Sequence, residues 1–170
     1  MKVANILRTI ISATAAAYLI FIQDHSAMTG IYAIQYVSTG LAFGSLVLFK
    51  IDKSTDKLQT IIVPGAIAFL VALLSIFLDV SSAEIRLTVL TSLVALYAGA
   101  TAVAESFLST RNAGTDKMEL RISAGINAIT ALVFGFAQLD ALNAVGFLSA
   151  YLSIVAVQRA IWLASPKAKE

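Results

Sequence analysis

LTVLTSLVALYAGATAVAESFLST, residues 87–110, decides how this chain is read. An α-helix rises 1.5 Å per residue, so about 20 residues cross a hydrocarbon layer about 30 Å thick. Residues 87–104 carry no charge, and the first acid in the run is Glu105, near its far end. The polar residues inside the run are Thr and Ser, whose hydroxyls can return to a backbone carbonyl one turn earlier. A strand reading fails on length and on the absence of alternation. The stretch therefore predicts a membrane-spanning helix, and five other stretches resemble it.

Those five are residues 4–22, 27–49, 58–78, 122–138 and 142–163. The expected fold is all-α: a six-helix transmembrane bundle forming one integral membrane domain over residues 1–170. The basic start and short apolar run of residues 4–22 also suit a signal peptide. However, Tyr18 to Phe21 extend the apolar run past its small residues, which fits a retained helix. Between the spans lie a tight turn at 23–27, a polar loop at 51–59, an acidic loop at 79–86, a polar loop at 109–121 and a bare turn at 139–140. Pro64-Gly65 falls in the first turns of the third span, where proline costs least. Ser165-Pro166 ends the sixth.

Composition agrees. The chain is 59% hydrophobic and 13% charged, against about 25% charged in soluble domains. It lacks the polar surface to cover a soluble globule. It has no cysteine and a single histidine, His25. Disulfides, thiolate metal sites and multi-histidine metal sites within one chain are thereby excluded.

Six crossings sort the connections into two sets. One set, made of the N-terminus, the two longer loops and the C-terminal end, holds Lys2, Arg8, Lys50, Lys53, Lys57, Arg111, Lys117, Arg121, Arg159, Lys167 and Lys169. The three short turns hold only Arg86, together with Asp24, Asp79, Glu84 and Asp140. The positive-inside rule puts the basic set, and with it both termini, in the cytoplasm of a bacterial plasma membrane.

The crossings pair into three hairpins, at residues 4–49, 58–110 and 118–164. Their starts recur at a period of roughly 55 to 60 residues, the mark of an internal repeat. When the return helices are overlaid, Gly40, Gly99 and Ser153 coincide. Tyr97 falls on Tyr151, and Glu105 falls on Arg159. Gly40 and Gly44 form a GxxxG pair that predicts close helix packing. Ala95/Gly99, Ala131/Gly135 and Gly146/Ala150 share its spacing.

Two charges lie inside spans. Tyr97, Thr101 and Glu105 are four residues apart, as are Tyr151, Val155 and Arg159, so each trio shares a helix face. Glu105 lies about 27 Å along its helix from residue 87, and Arg159 about 26 Å from residue 142, so both sit near the cytoplasmic edge of the core. Either they snorkel separately to the headgroups or they pair, with the two tyrosines above them, as a polar site. Asn127 and Gln35 are expected to bond across helices. His25, beside Asp24, is placed on an outer loop, where an acid-sensing role is the less favoured alternative to an ordinary exposed residue.

No GxSxG, Walker, HExxH or dinucleotide-binding fingerprint occurs, so the reading is non-enzymatic, with no catalytic, cofactor or metal residues. No basic face is available for nucleic acid. The expected partners are the lipid bilayer and either further copies of the chain or a membrane complex.

LRISAGINAITALVFGFAQLDALNAVGFLSAYLSIVAVQRAIWL (residues 120–163) resembles the HdeD-like family of small bacterial inner-membrane proteins. It has an early glycine in the outgoing helix (Gly125), a very short turn and a return helix ending in polar or basic residues. LTSLVALYAGATAVAESFLSTR (90–111) looks like the same family's return helix. The family often has proline in the outer turn and tryptophan near helix starts. Here the turns carry Asp, and Trp162 is the only tryptophan. The resemblance implies a six-helix membrane protein, in some members linked to acid stress, and no catalytic residue. The function expected is a stress-related protein or accessory subunit acting through helix contacts. The alternative is a small transporter or channel.

Overall fold

The structure, a computed structural model, describes residues 2–51, 61–112 and 114–164. Most of the expected loop 51–59, the Ser165-Pro166 stop and the tail at 167–170 lie outside them. Six helices follow in order: α1 Lys2–Phe21, α2 Ala27–Ile51, α3 Val63–Phe77, α4 Ala83–Arg111, α5 Gly114–Phe136 and α6 Ala141–Ala164. Among the described residues there is no strand. Every helix except α3 is long and apolar enough to cross a membrane.

Three boundaries differ from expectation. The third span, expected over 58–78, appears as a 15-residue helix about 22 Å long. Pro64 sits in its first turn, where no N–H is needed. The acidic loop expected at 79–86 is shorter, because Ser82 caps α4 by accepting from the Ile85 N–H at 3.2 Å. The polar loop expected at 109–121 is mostly helix. α4 runs on to Arg111, where Asn112 donates back to the Leu108 carbonyl at 2.8 Å, and α5 already begins at Gly114. Hydropathy marks the hydrocarbon layer, whereas helices continue beyond it wherever propensity and capping allow.

The arrangement has an inner and an outer ring. The return helices α2, α4 and α6 touch one another, and each outgoing helix lies in a groove between two of them. α1 packs between α6 and α2, α3 between α2 and α4, and α5 between α4 and α6. Apart from α1 and α2, the closest neighbours belong to different hairpins: α4 with α5, α1 with α6 and α2 with α3. At the centre Ile34, Leu90, Val94, Val145 and Leu148 are fully buried. Outward-facing large apolar residues such as Phe43, Ile76, Val103 and Ile129 are exposed, as a lipid-facing surface requires.

The three short turns at the end of the bundle away from residues 2 and 164 share a chemistry. Each outgoing helix ends on an outward phenylalanine, Phe21, Phe77 or Phe136, at the level where aromatic belts form. An aspartate follows each and closes its turn. Asp24 accepts from the Ser26 N–H at 3.0 Å, Asp79 from the Ser81 N–H at 2.9 Å and Asp140 from the Asn143 N–H at 2.7 Å. Hydrogen bonds from the Ser26 and Thr29 side chains hold the Asp24 carboxyl below its ordinary range. His25 lies beside it, half-buried, with Nδ1 3.3 Å from the Gln23 carbonyl.

Glycines mark close approaches, though not all of those expected. Gly40 faces Ile11, and Gly44 lies against Leu7, so the GxxxG face of α2 receives α1. Gly99 faces Ala131 on α5. Gly135 and Gly146 themselves have nothing in reach, so of the Ala131/Gly135 pair only Ala131 meets a neighbouring helix. The least yielding contact is at Gly65, where an added Cβ would stand 2.5 Å from the Ser45 Cβ. That atom is bound directly to the α2 backbone and cannot swing away. Gly65→Ala is therefore expected to cost about 1–3 kcal/mol by forcing α3 off α2. Gly125→Ala, with open space around it, is expected to be neutral or to gain up to about 1 kcal/mol of helix propensity. Unfolding midpoints of the two variants in detergent check this ordering.

Candidate functional site

The end of the bundle that carries residues 2 and 164 holds a buried polar network. Four helices supply it, each with a stripe at helical spacing: Asn5, Arg8 and Ser12 on α1; Tyr97, Thr101 and Glu105 on α4; Glu119, Ser123 and Asn127 on α5; Tyr151 and Arg159 on α6. Residues three or four apart share a helix face, so each helix turns one polar stripe to a common centre.

Arg159 and Glu105 are both 8% exposed, so neither snorkels to the surface. Arg159 Nη2 donates to Glu105 Oε1 at 3.3 Å, and Nη1 donates to Asn5 Oδ1 at 3.3 Å. Nη1 also lies 4.0 Å from Glu119 Oε1. The other Glu105 oxygen, Oε2, accepts from Asn127 Nδ2 at 2.9 Å. That nitrogen also donates to the Ser123 carbonyl at 2.9 Å, while Asn127 Oδ1 accepts from the Tyr151 hydroxyl at 2.6 Å. Asn127 thus uses both amide hydrogens and its carbonyl, which leaves one orientation for its side chain. Helix α4 is tied in this way to α5 and α6, and α6 to α1.

The network surrounds a cavity of about 80 Å³. At about 30 Å³ per water, it holds two or three water molecules' worth of space. All six helices contribute to its wall, with Leu41, Pro64 and Ile67 facing the polar groups from α2 and α3. Arg8 brings a second guanidinium to the wall and Glu119 a second carboxylate. Arg159 Nε is buried and has no acceptor among the described residues, although a buried donor without a partner costs about 1–3 kcal/mol. Beyond Tyr151 the interior turns apolar. Leu90, Leu93, Val94, Val145 and Leu148 fill it, so the cavity is blind toward the far end.

The structure brings Glu105 and Arg159 together and reaches Tyr151 through Asn127. Tyr97 lines the cavity. Sequence reasoning missed Asn5, Ser123 and Glu119 as members, and it placed Arg8 only among the flanking charges. A signal was present: Glu119, Ser123 and Asn127 repeat every fourth residue, but two of the three fell on or beside a stretch read as loop. Gln35 does bond across helices, donating to the Ser75 carbonyl on α3 at 3.2 Å, far from the cavity wall. Asn143 bonds to Asp140 in the outer turn instead. Among the described residues no three His, Asp or Glu side chains lie close enough to hold a metal ion.

Fold and site together define a multi-pass helical membrane protein with a blind polar chamber at the end that carries residues 2 and 164. No family model, curated protein or solved structure matches the chain.

Proposed function

We propose that this chain is a non-enzymatic protein of the bacterial plasma membrane, with its termini in the cytoplasm, and that its working part is the polar chamber, which binds a small polar group at the cytoplasmic edge of the bilayer. The observation that carries this reading is the network around the cavity: side chains from four helices hold one another in fixed orientations around an unfilled polar space. Both Glu105 oxygens are engaged, by Arg159 and Asn127, which suits a scaffold better than a proton-transferring base. The excess of cations at this end supports the cytoplasmic orientation. The resemblance to HdeD-like proteins adds a stress-related role to the proposal. The shared phenylalanine–aspartate turns support a triplicated hairpin as its origin.

A second reading is transport, favoured by Thr101 and Asn127 standing in the cavity wall where a path would begin. The apolar plug formed by Leu93 and Leu148 separates the two readings. Because the chain has no cysteine, single cysteines report directly. Thr101→Cys is expected to react with Ag⁺ added from the cytoplasmic side only, and Leu93→Cys from neither side. An inert Thr101→Cys removes the binding reading. A Leu93→Cys reached from the far side replaces it with transport.

A further inference from the structure

A second space lies outside the polar network. Between α3 and α4 runs an open groove of about 700 Å³, within the range of about 300–1,000 Å³ that small-molecule sites occupy. Its lining is entirely apolar, with Ile62 and Ala66 on α3 and Gly99, Ala100 and Val103 on α4. It opens because α3 packs more closely on α2 than on α4. Gly65 seats α3 against Ser45 of α2, while Gly99 and Ala100 put no bulk on α4 where α3 passes. The α4 wall continues beyond the groove. Gly99, Val103, Phe107 and Arg111 are four residues apart, so they lie along one face of the helix. Phe107 is 57% exposed, and the Arg111 guanidinium lies over its ring, 4.6 Å from the centroid. Such stacking holds a cation in place against an apolar surface. α4 has 29 residues, about 43 Å of helix, which matches a bilayer of about 40–45 Å with its headgroup layers. Arg111 is its last residue. The guanidinium therefore stands in the headgroup layer, while Val103, about 12 Å further in, stands in the hydrocarbon.

We propose that this face of α3 and α4 binds one anionic phospholipid, from the leaflet at the end of the bundle that carries residues 2 and 164, with its phosphate on Arg111 and one acyl chain in the groove. The inference goes beyond the chamber and does not depend on it. Charge complementarity selects the headgroup. A guanidinium presents paired N–H donors to phosphate oxygens. Arg111 is exposed and stands outside the chamber, where Glu105 and Glu119 offset Arg8 and Arg159. In residues 106–121 the acids are Asp116 and the chamber's Glu119, against Arg111, Lys117 and Arg121, so the excess at this edge is positive. A headgroup of net negative charge gains from that excess. A zwitterionic one brings an ammonium that the same cations repel. The groove selects the rest of the molecule, because its apolar lining takes an alkyl chain and offers nothing to a soluble anion. Depth joins the two ends. In a phospholipid the glycerol and its esters separate phosphate from chain, and here Phe107 separates Arg111 from the groove.

The test is native mass spectrometry of the full chain released from detergent micelles, with phosphatidylglycerol and phosphatidylcholine of identical acyl chains as probes. Retention that saturates at one phosphatidylglycerol per chain is expected, with a preference over phosphatidylcholine of about fivefold, the contribution of one basic residue at a membrane surface. Arg111→Gln, a change at an exposed position, is expected to remove that preference. Lys117→Gln is expected to leave most of it. Ala100→Phe fills the groove with Arg111 in place and is expected to lower retention of both lipids. A preference that survives Arg111→Gln overturns the proposal, as does retention that never saturates. Lys117→Gln costing as much as Arg111→Gln overturns it too, because the attraction is then spread over the basic edge. Retention unaffected by Ala100→Phe removes the groove from the site. Inorganic phosphate displacing phosphatidylglycerol at equal concentration makes Arg111 a site for soluble anions instead. A lipid-free dimer that Ala100→Phe dissociates gives the groove to a second copy of the chain.

Discussion

Replacing Arg159 with methionine is expected to cost the fold about 3–5 kcal/mol, the range for breaking a buried ion pair from one side. The cause lies in the partners left behind. Glu105 is 8% exposed and would lose its Arg159 partner while retaining the hydrogen bond from Asn127. Asn5 Oδ1 would lose its donor, and α1 its polar tie to α6. Removing both charges, with Glu105→Leu and Arg159→Met together, is expected to be milder than the sum of the two single changes. The double variant leaves neither member of the pair as a charge without its partner, and apolar replacements of buried pairs are often tolerated. Exchanging the two residues, Glu105→Arg with Arg159→Glu, is expected to recover only part of the loss. A glutamate at 159 would face Glu119, which lies 4.0 Å from the present guanidinium. An arginine at 105 would present donors to the Asn127 amide, itself a donor there. Unfolding free energies of the four variants in mixed micelles measure this. Strict additivity of the single changes would show that the two charges act independently.

The depth of this pair was legible because it depends only on counting. Glu105 and Arg159 lie at similar distances along apolar runs that begin on the same side, and the 1.5 Å rise converts residue number into height. Rotation about each helix was legible from the four-residue spacing of Tyr97, Thr101 and Glu105. The partners from α5 and α1 were harder to see, and the reason is physical. Hydropathy registers where the hydrocarbon begins, so the polar residues from Ser109 to Arg121 looked like a loop, although Glu119 stands on a helix that runs on into the membrane. The third span was legible as a span, although its described helix is shorter than the apolar run. Glycine spacing was an uneven guide. Gly40 and Gly44 do receive α1, while Gly135 and Gly146 meet nothing. Spacing shows that a face is smooth but cannot show that a neighbour covers it.

Packing order was least legible of all. Reading the chain as hairpins suggests that each pair of consecutive helices forms a unit. Two of the three outgoing helices instead pack most closely on the return helix of the preceding hairpin, and α1 closes the ring on α6. The chamber depends on that closure, because Asn5 and Arg159 come from opposite ends of the chain. Lipid supplies little hydrophobic drive for helices to associate. Small side chains and a few interhelical hydrogen bonds must then select the order of the ring. The network at the end carrying residues 2 and 164 is where four of the six helices are held in register at once.

Asn127 is the joint of that network, and Asn127→Leu is expected to cost about 2–4 kcal/mol. Leucine has the same branched outline and the same number of heavy atoms, so the loss is chiefly one of hydrogen bonds. The Tyr151 hydroxyl loses its acceptor and Glu105 Oε2 loses a donor, both in a buried setting. Each orphaned group costs about 1–3 kcal/mol, the charged one more. Tyr151→Phe alone removes a donor and leaves Asn127 Oδ1 unmatched, so about 1–2 kcal/mol is expected there. The decisive comparison is the two changes together. In the Asn127→Leu background the tyrosine hydroxyl is already stranded, so deleting it removes a liability. The double variant is therefore expected to be more stable than Asn127→Leu by about 1 kcal/mol, a reversal of sign that a chain of unrelated contacts would not produce. If Tyr151→Phe instead costs as much with leucine at 127 as with asparagine, the hydroxyl owes its stability to something other than Asn127. The path from Tyr151 to Arg159 would then be broken at its first link.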